Sequence, residues 1–102
     1  EGDACARRAE QDGRKGWGKR RIAEDLYACR YPRTVIDEVL ASLEYSVDFT
    51  DNCARVIRKK YRGVPRDRDD RRRMTAALIR MGYGMEEIRA AMIEVAEEAE
   101  DA

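Results

Sequence analysis

The sequence contains no histidine, one tryptophan, one phenylalanine and two prolines. Without histidine, zinc-finger and Cys-His nucleophile schemes are excluded. The cysteines, Cys5, Cys29 and Cys53, are odd in number and form no Cys-x-x-Cys pair. Each falls where an apolar residue would face a core, so all three are expected to be buried, reduced thiols. No apolar run approaches the ~20 residues a membrane helix needs, and no signal peptide is visible. A soluble, cytoplasmic chain is therefore expected, and the sequence opens with Glu1 rather than methionine.

What the chain has in plenty is charge. Asp, Glu, Lys and Arg make up 41% of it, against 43% apolar residues, and that balance suits thin, surface-rich helices better than a large core. The formal net charge is zero, but the signs are segregated. Arg55 to Arg73 holds ten basic residues and three aspartates, whereas Glu86 to Asp101 holds seven acidic residues and one arginine. A basic middle and an acidic end point to a partner surface. Nowhere do a nucleophile, a base and an oxyanion hole assemble. No enzyme activity, cofactor or metal is therefore expected.

Apolar residues recur at helical spacing almost throughout. Ile22, Leu26 and Cys29 make one stripe, and Ile36, Val39, Leu40 and Leu43 a second. Phe49, Cys53, Val56 or Ile57, and Tyr61 make a third; Met74, Leu78 and Met81 a fourth; Ile88, Met92 and Val95 a fifth. Cys5, Ala6 and Ala9 form a weaker sixth. Glycines 13, 16 and 18, Pro32, Gly63 with Pro65, and glycines 82 and 84 separate them. The pattern predicts an all-α fold of six short helices.

The stripes also repeat. Arg20–Leu43 aligns without a gap on Arg72–Val95 at an offset of 52, pairing Leu26 with Leu78, Tyr31 with Tyr83 and Ile36 with Ile88. "DACAR" (Asp3–Arg7) is echoed by "DNCAR" (Asp51–Arg55) at an offset of 48. This predicts tandem three-helix repeats stacked into an elongated, curved array within a single domain, residues 1–102. The division expected is a last helix of one repeat at 1–13, a complete repeat at 14–63, the first two helices of another at 64–95, and an acidic tail at 96–102.

"KGWGKRRIAEDL" (Lys15–Leu26), "LIRMGYGMEEIRAAM" (Leu78–Met92) and "VDFTDNCARVIRKKY" (Val47–Tyr61) together resemble repeats of the RecX family. The resemblance covers nearly the whole chain except the acidic tail. It implies a non-enzymatic modulator, usually an inhibitor, of the RecA recombinase that lodges in the groove of the filament on single-stranded DNA. The family typically carries three repeats, and this chain holds about two. Arg30 stands where the family often has glycine, whereas Gly82 keeps it.

Nine basic residues are candidates for contact with such a filament or its DNA: Lys19, Arg20 and Arg21; Arg55, Arg58, Lys59 and Arg62; and Arg72 and Arg73. The first three and the last two are expected in the first turns of helices, where cations oppose the helix dipole, so a purely structural sequence would favour acids there. In "RVIRKKYRG" Arg55, Arg58, Lys59 and Arg62 are expected to ring the exposed side of a helix whose Val56, Ile57 and Tyr61 turn inward. Trp17, between Gly16 and Gly18, is expected to pack across a helix joint, or else to stack on a base or partner surface. No strand precedes this glycine pair and no P-loop Lys-Ser/Thr follows it. "DRDDRRR" (Asp67–Arg73) is expected to pair its own charges, Asp67 with Arg71 and Asp69 with Arg73, and to hold no metal. Expected partners are a RecA-type filament and single-stranded DNA, contacted directly or through the filament, with the chain a monomer. Two rivals stand beside this reading: a general DNA-binding helical protein, and a helical adaptor that docks proteins through apolar grooves.

Overall fold

The computed structural model describes residues 2–101, so residues 1 and 102 of the outer segments lie outside it. Among the described residues there are six α-helices and no strand. They are α1 Gly2–Arg14, α2 Lys19–Ala28, α3 Arg33–Ser46, α4 Phe49–Val56, α5 Arg68–Arg80 and α6 Met85–Asp101. α4 runs directly into a π-helical turn, Ile57–Tyr61. The molecule measures 45 × 25 × 19 Å. No helix is long and apolar enough to cross a membrane among the described residues.

Local chemistry sets the helix ends. Asp48 and Asp67 cap α4 and α5, their carboxylates accepting from the backbone N–H of Asp51 at 3.0 Å and of Asp70 at 3.1 Å. Each satisfies one of the donors a helix start leaves unpaired. At the ends of α2 and α5 the chain enters the left-handed region, through Arg30 at φ 61° and Gly82 at φ 103°. The offset of 52 survives in the backbone itself. α2 ends at Ala28 and α5 at Arg80, and α3 starts at Arg33 and α6 at Met85 (80 − 28 and 85 − 33).

The apolar stripes meet in one core. Ile22, Leu26, Ile36, Ile57, Met74, Leu78, Tyr83 and Ile88 are fully buried, with Cys5 and Cys53 among them. Cys29 departs from expectation. α2 stops at Ala28, so Cys29 sits at the C-cap and faces solvent. Burial holds the Cys53 thiol up near 12 and raises that of Cys5, which leaves both as inert thiols. Gly13 also differs: it lies inside α1, and the break comes at Gly16, φ 84°.

α1 packs with α2 and α3, and α4 and α5 each pack on α6. Cys5 and Cys53, which match at the shorter offset, are both buried. The acidic tail is helical as far as Asp101.

Candidate functional site

The Gly-Trp-Gly turn is a joint between the two helix groups. Gly18 N donates to the Met81 carbonyl at 2.7 Å, and Arg20 N to the Gly82 carbonyl at 3.2 Å. The Tyr83 hydroxyl, on a fully buried side chain, donates to the Gly16 carbonyl at 2.6 Å. A Cβ on Gly18 would lie 2.4 Å from the Gly82 carbonyl carbon, and one on Gly82 would lie 2.5 Å from Arg21 N. The two turns therefore meet backbone to backbone. This explains why α2 starts without a side-chain cap: the α5–α6 turn supplies an acceptor for its first turn. Burial pushes the Tyr83 hydroxyl well above its ordinary pKa, so it stays a donor. The sequence reading missed Tyr83 as the key of this joint, although Gly82-Tyr83-Gly84 repeats the glycine-aromatic-glycine pattern of residues 16–18.

Trp17 packs half-buried against the core beside this joint. Two cations flank its ring, Arg21 at 4.1 Å and Lys15 at 4.6 Å from the centroid, an arrangement the ring quadrupole favours.

The nine basic candidates fall into different circumstances. Arg20, Lys59, Arg62 and Arg72 are exposed, with no ion pair among the described residues. Arg21 is committed to Trp17, and Lys19 pairs with Glu44. Arg55 pairs with Asp51 at 3.1 Å, and Arg73 with Asp70 at 3.1 Å. Arg58 does not ring an exposed side. Its guanidinium crosses to α6, donating to Glu98 through Nε at 2.8 Å and reaching Glu94 at 3.5 Å. These hydrogen bonds raise the Arg58 pKa and lower that of Glu98, so Arg58 serves as an α4–α6 tie.

Two further expectations change. α5 begins at Arg68, a turn before the start of α2 at the repeat offset, so Arg72 and Arg73 lie beyond its first turn. Asp69 and Asp70 occupy that turn, where acids suit the dipole. Within "DRDDRRR", Asp67 is a cap and Arg71 donates to the carbonyls of Pro65 (3.2 Å) and Arg66. Arg73 pairs with Asp70 instead of Asp69. No group of three or more potential metal-ligating side chains converges among the described residues.

A groove of about 1060 Å³ lies between α1, α3 and α4. It brings together Arg55 and Lys59 with three cations outside the nine, Arg14, Lys15 and Lys60; the other seven candidates lie elsewhere. Its apolar lining includes Val35, Val39, Leu43, Phe49 and Val56. The π-helical turn shapes this rim: Ile57 points into the core, Arg58 ties to α6, and Lys59 and Lys60 face outward. Such turns are frequent at functional sites.

On the far side of α1, Arg8 makes a two-pronged contact with Asp25 of α2, at 2.7 and 3.0 Å. Its hydrogen bonds hold Asp25 down to about 2. Asp12 is fully buried beside them, and neither carboxylate oxygen accepts a hydrogen bond. Arg8 Nε lies 3.8 Å away and Lys15 Nζ 3.6 Å. Burial lifts Asp12 to about 6, with the neighbouring Asp25 adding to the rise. Nothing in the local sequence marks Asp12 as buried, since it follows three polar or charged neighbours in four positions.

Residues 47–92 match the family model described as RecX, third three-helix domain. Those 46 of the 102 residues are similar to a RecX-family domain. No curated protein and no solved structure matches it. The RecX span begins at the C-cap of α3, takes in α4, the π-helical turn and α5, and ends inside α6. It contains Val47–Tyr61 and Leu78–Met92, two of the three stretches that carry the resemblance, whereas Lys15–Leu26 lies outside it. RecX is a regulatory, non-enzymatic family whose general partner is RecA.

Proposed function

We propose that this chain is a RecX-family protein that binds a RecA-type recombinase filament on single-stranded DNA and inhibits its recombination, DNA-repair and SOS activities. One observation carries the reading: the RecX match spans α4 and the π-helical turn, where the densest basic run of the chain sits. In this reading the chain is a cytoplasmic monomer of two three-helix units in tandem, α1–α3 and α4–α6, stacked into an elongated, curved array. The shared offset of their helix ends supports that arrangement.

Lys59, Arg62, Arg20 and Arg72 supply most of the attraction to the anionic filament, because among the described residues they have no ion-pair partner to give up. Lys19, Arg55 and Arg73 contribute by exchanging exposed carboxylates for the filament, at little cost. Arg58 stays on α6. Trp17 and Arg21 stay together at the joint, and the half-buried Trp17 is the aromatic contact with the partner. Pull-down on a RecA-type filament, assembled with and without single-stranded DNA, tests this. Capture that needs the filament supports it; equal retention on bare DNA favours the general DNA-binding reading. The adaptor reading also has an observation in its favour, the apolar groove between α1, α3 and α4.

A further inference from the structure

We infer that the groove between α1, α3 and α4 is the docking site for an amphipathic helix of a protein partner that carries acidic residues beside its apolar face. Only the partner's identity as a recombinase rests on the function proposed above; the chemistry of the groove stands by itself.

The first argument is an uncovered stripe. α3 and α6 are counterparts at the offset of 52, so Val39 corresponds to Ala91 and Leu43 to Val95. In α6 both positions are buried, covered by α4. In α3 both are only partly buried, and they line the groove. Ile36, a turn earlier in the stripe, is fully buried, whereas Val39 and Leu43 stay partly open. An apolar surface that one unit buries and its counterpart leaves open is of the kind that a partner fills.

The second argument is charge. Among the described residues, Arg14, Lys15, Arg55, Lys59 and Lys60 line the groove against two acids, Glu10 and Glu38. The cations stand at the end of α1 and along α4 and its π-helical turn, whereas Glu38 stands on α3. An occupant therefore needs apolar side chains toward the floor and carboxylates toward α4. Nucleic acid would satisfy the rim and leave the floor bare, since it lacks aliphatic side chains.

Size gives the third. The lining follows α1 from Gly2 to Arg14, a length of ~18 Å, or about three helical turns, at the rise of an α-helix. The volume, about 1060 Å³, lies at the upper limit of the ~300–1,000 Å³ common for small-molecule sites. A helix laid in a groove uses both dimensions.

The probe is a fluorescent synthetic peptide of roughly four helical turns, with leucines at i, i+3, i+4 and i+7 and glutamates beside them, titrated with the intact chain and read by anisotropy. A second peptide replaces every glutamate by lysine, and a single-stranded DNA oligonucleotide is the third ligand. The glutamate peptide should bind saturably, more weakly as salt rises, and the lysine peptide by about tenfold less. Val39→Asp and Ser42→Trp, the one placing charge on the floor and the other filling the groove from an exposed position, should each weaken the glutamate peptide by about tenfold or more. Both should leave the oligonucleotide unaffected, whereas Lys59→Glu with Lys60→Glu should weaken both ligands. Melting curves identify any variant that has unfolded, and Ser42→Trp keeps the test intact if Val39→Asp does. Equal binding of the two peptides, or glutamate-peptide binding untouched by Ser42→Trp in the folded protein, overturns the proposal. Filament binding that survives Ser42→Trp removes the groove from the recombinase interaction but leaves that interaction standing. Peptide binding without any filament binding does the reverse.

Discussion

Replacing Gly18 by alanine puts the joint between the helix groups to a quantitative test. Gly18 has φ −80° and ψ 170°, which any residue adopts, so the backbone itself imposes no penalty. All the effect must come from the Cβ. It would sit 2.4 Å from the Gly82 carbonyl carbon and 2.6 Å from Tyr83 N, where carbon atoms prefer ~3.5–4.0 Å. Both neighbours are backbone, so the turns must part by about an ångström. That separation disrupts the hydrogen bonds from Gly18 N, Arg20 N and the Tyr83 hydroxyl. At about 1 kcal/mol net for each bond, the expected destabilisation is roughly 2–4 kcal/mol. Gly13→Ala is the control, because it lies within α1 and its Cβ would meet nothing within 4 Å. That variant should gain about 0.5–1 kcal/mol from helix propensity. Urea unfolding followed by circular dichroism and by Trp17 fluorescence reads both. A Gly18→Ala protein as stable as wild type would refute the backbone-to-backbone joint.

Leu26→Ala and Leu78→Ala, each at a fully buried position, should cost about 2–4 kcal/mol in the same melts; losses near zero at both would mean the stripes face solvent. Arg30→Gly should stabilise by about 0.5–1 kcal/mol, since Arg30 holds a left-handed φ of 61° that Gly82 provides freely at the equivalent turn. No gain on melting would show that no strain is stored there. Asp12→Asn should stabilise at pH 7 by about 1–2 kcal/mol. The folded pKa of Asp12, about 6, exceeds its ordinary 3.8, so the folded state holds the extra proton and stability falls as pH rises through that window. Asp25, held near 2, gives the opposite slope, losing stability as pH falls below about 4. Melting temperatures across pH 4–7 should therefore flatten in Asp12→Asn, and parallel profiles would contradict the buried charge.

Much of this fold is legible in the residues, and the parts that are not share a cause. The stripes around Leu26, Ile36, Leu78 and Ile88 announce themselves because a helix repeats its buried face every three to four residues. Their gapless offset carries through to helix ends and to Arg30 and Gly82. The gapless match starts only at Arg20, however, and fixes no phase for α1; its place beside α2 and α3 depends on packing. Arg58 looks like a free surface cation in its own segment, but its partners lie 36 and 40 residues away. The Tyr83–Gly16 bond spans 67 residues. Local periodicity contains no information about such meetings. Cys29 fails for a simpler reason: the stripe that includes it continues one residue past the end of its helix. The groove was legible only in half, because Arg55 and Lys59 stand out as charge while the open floor of α3 depends on what α1 leaves uncovered.

The most direct measurement is a salt titration of binding to a RecA-type filament on single-stranded DNA, comparing wild type with the Lys59→Glu, Arg62→Glu double variant. Both side chains are exposed and without an ion pair among the described residues, so melting should stay near wild type. Wild-type affinity should fall steeply with salt, as counterions are no longer gained by release. The double variant should bind well over tenfold more weakly at low salt and show a shallower slope. Equal affinities with equal slopes would show that these cations only face solvent, and would contradict filament binding through the basic run around the π-helical turn.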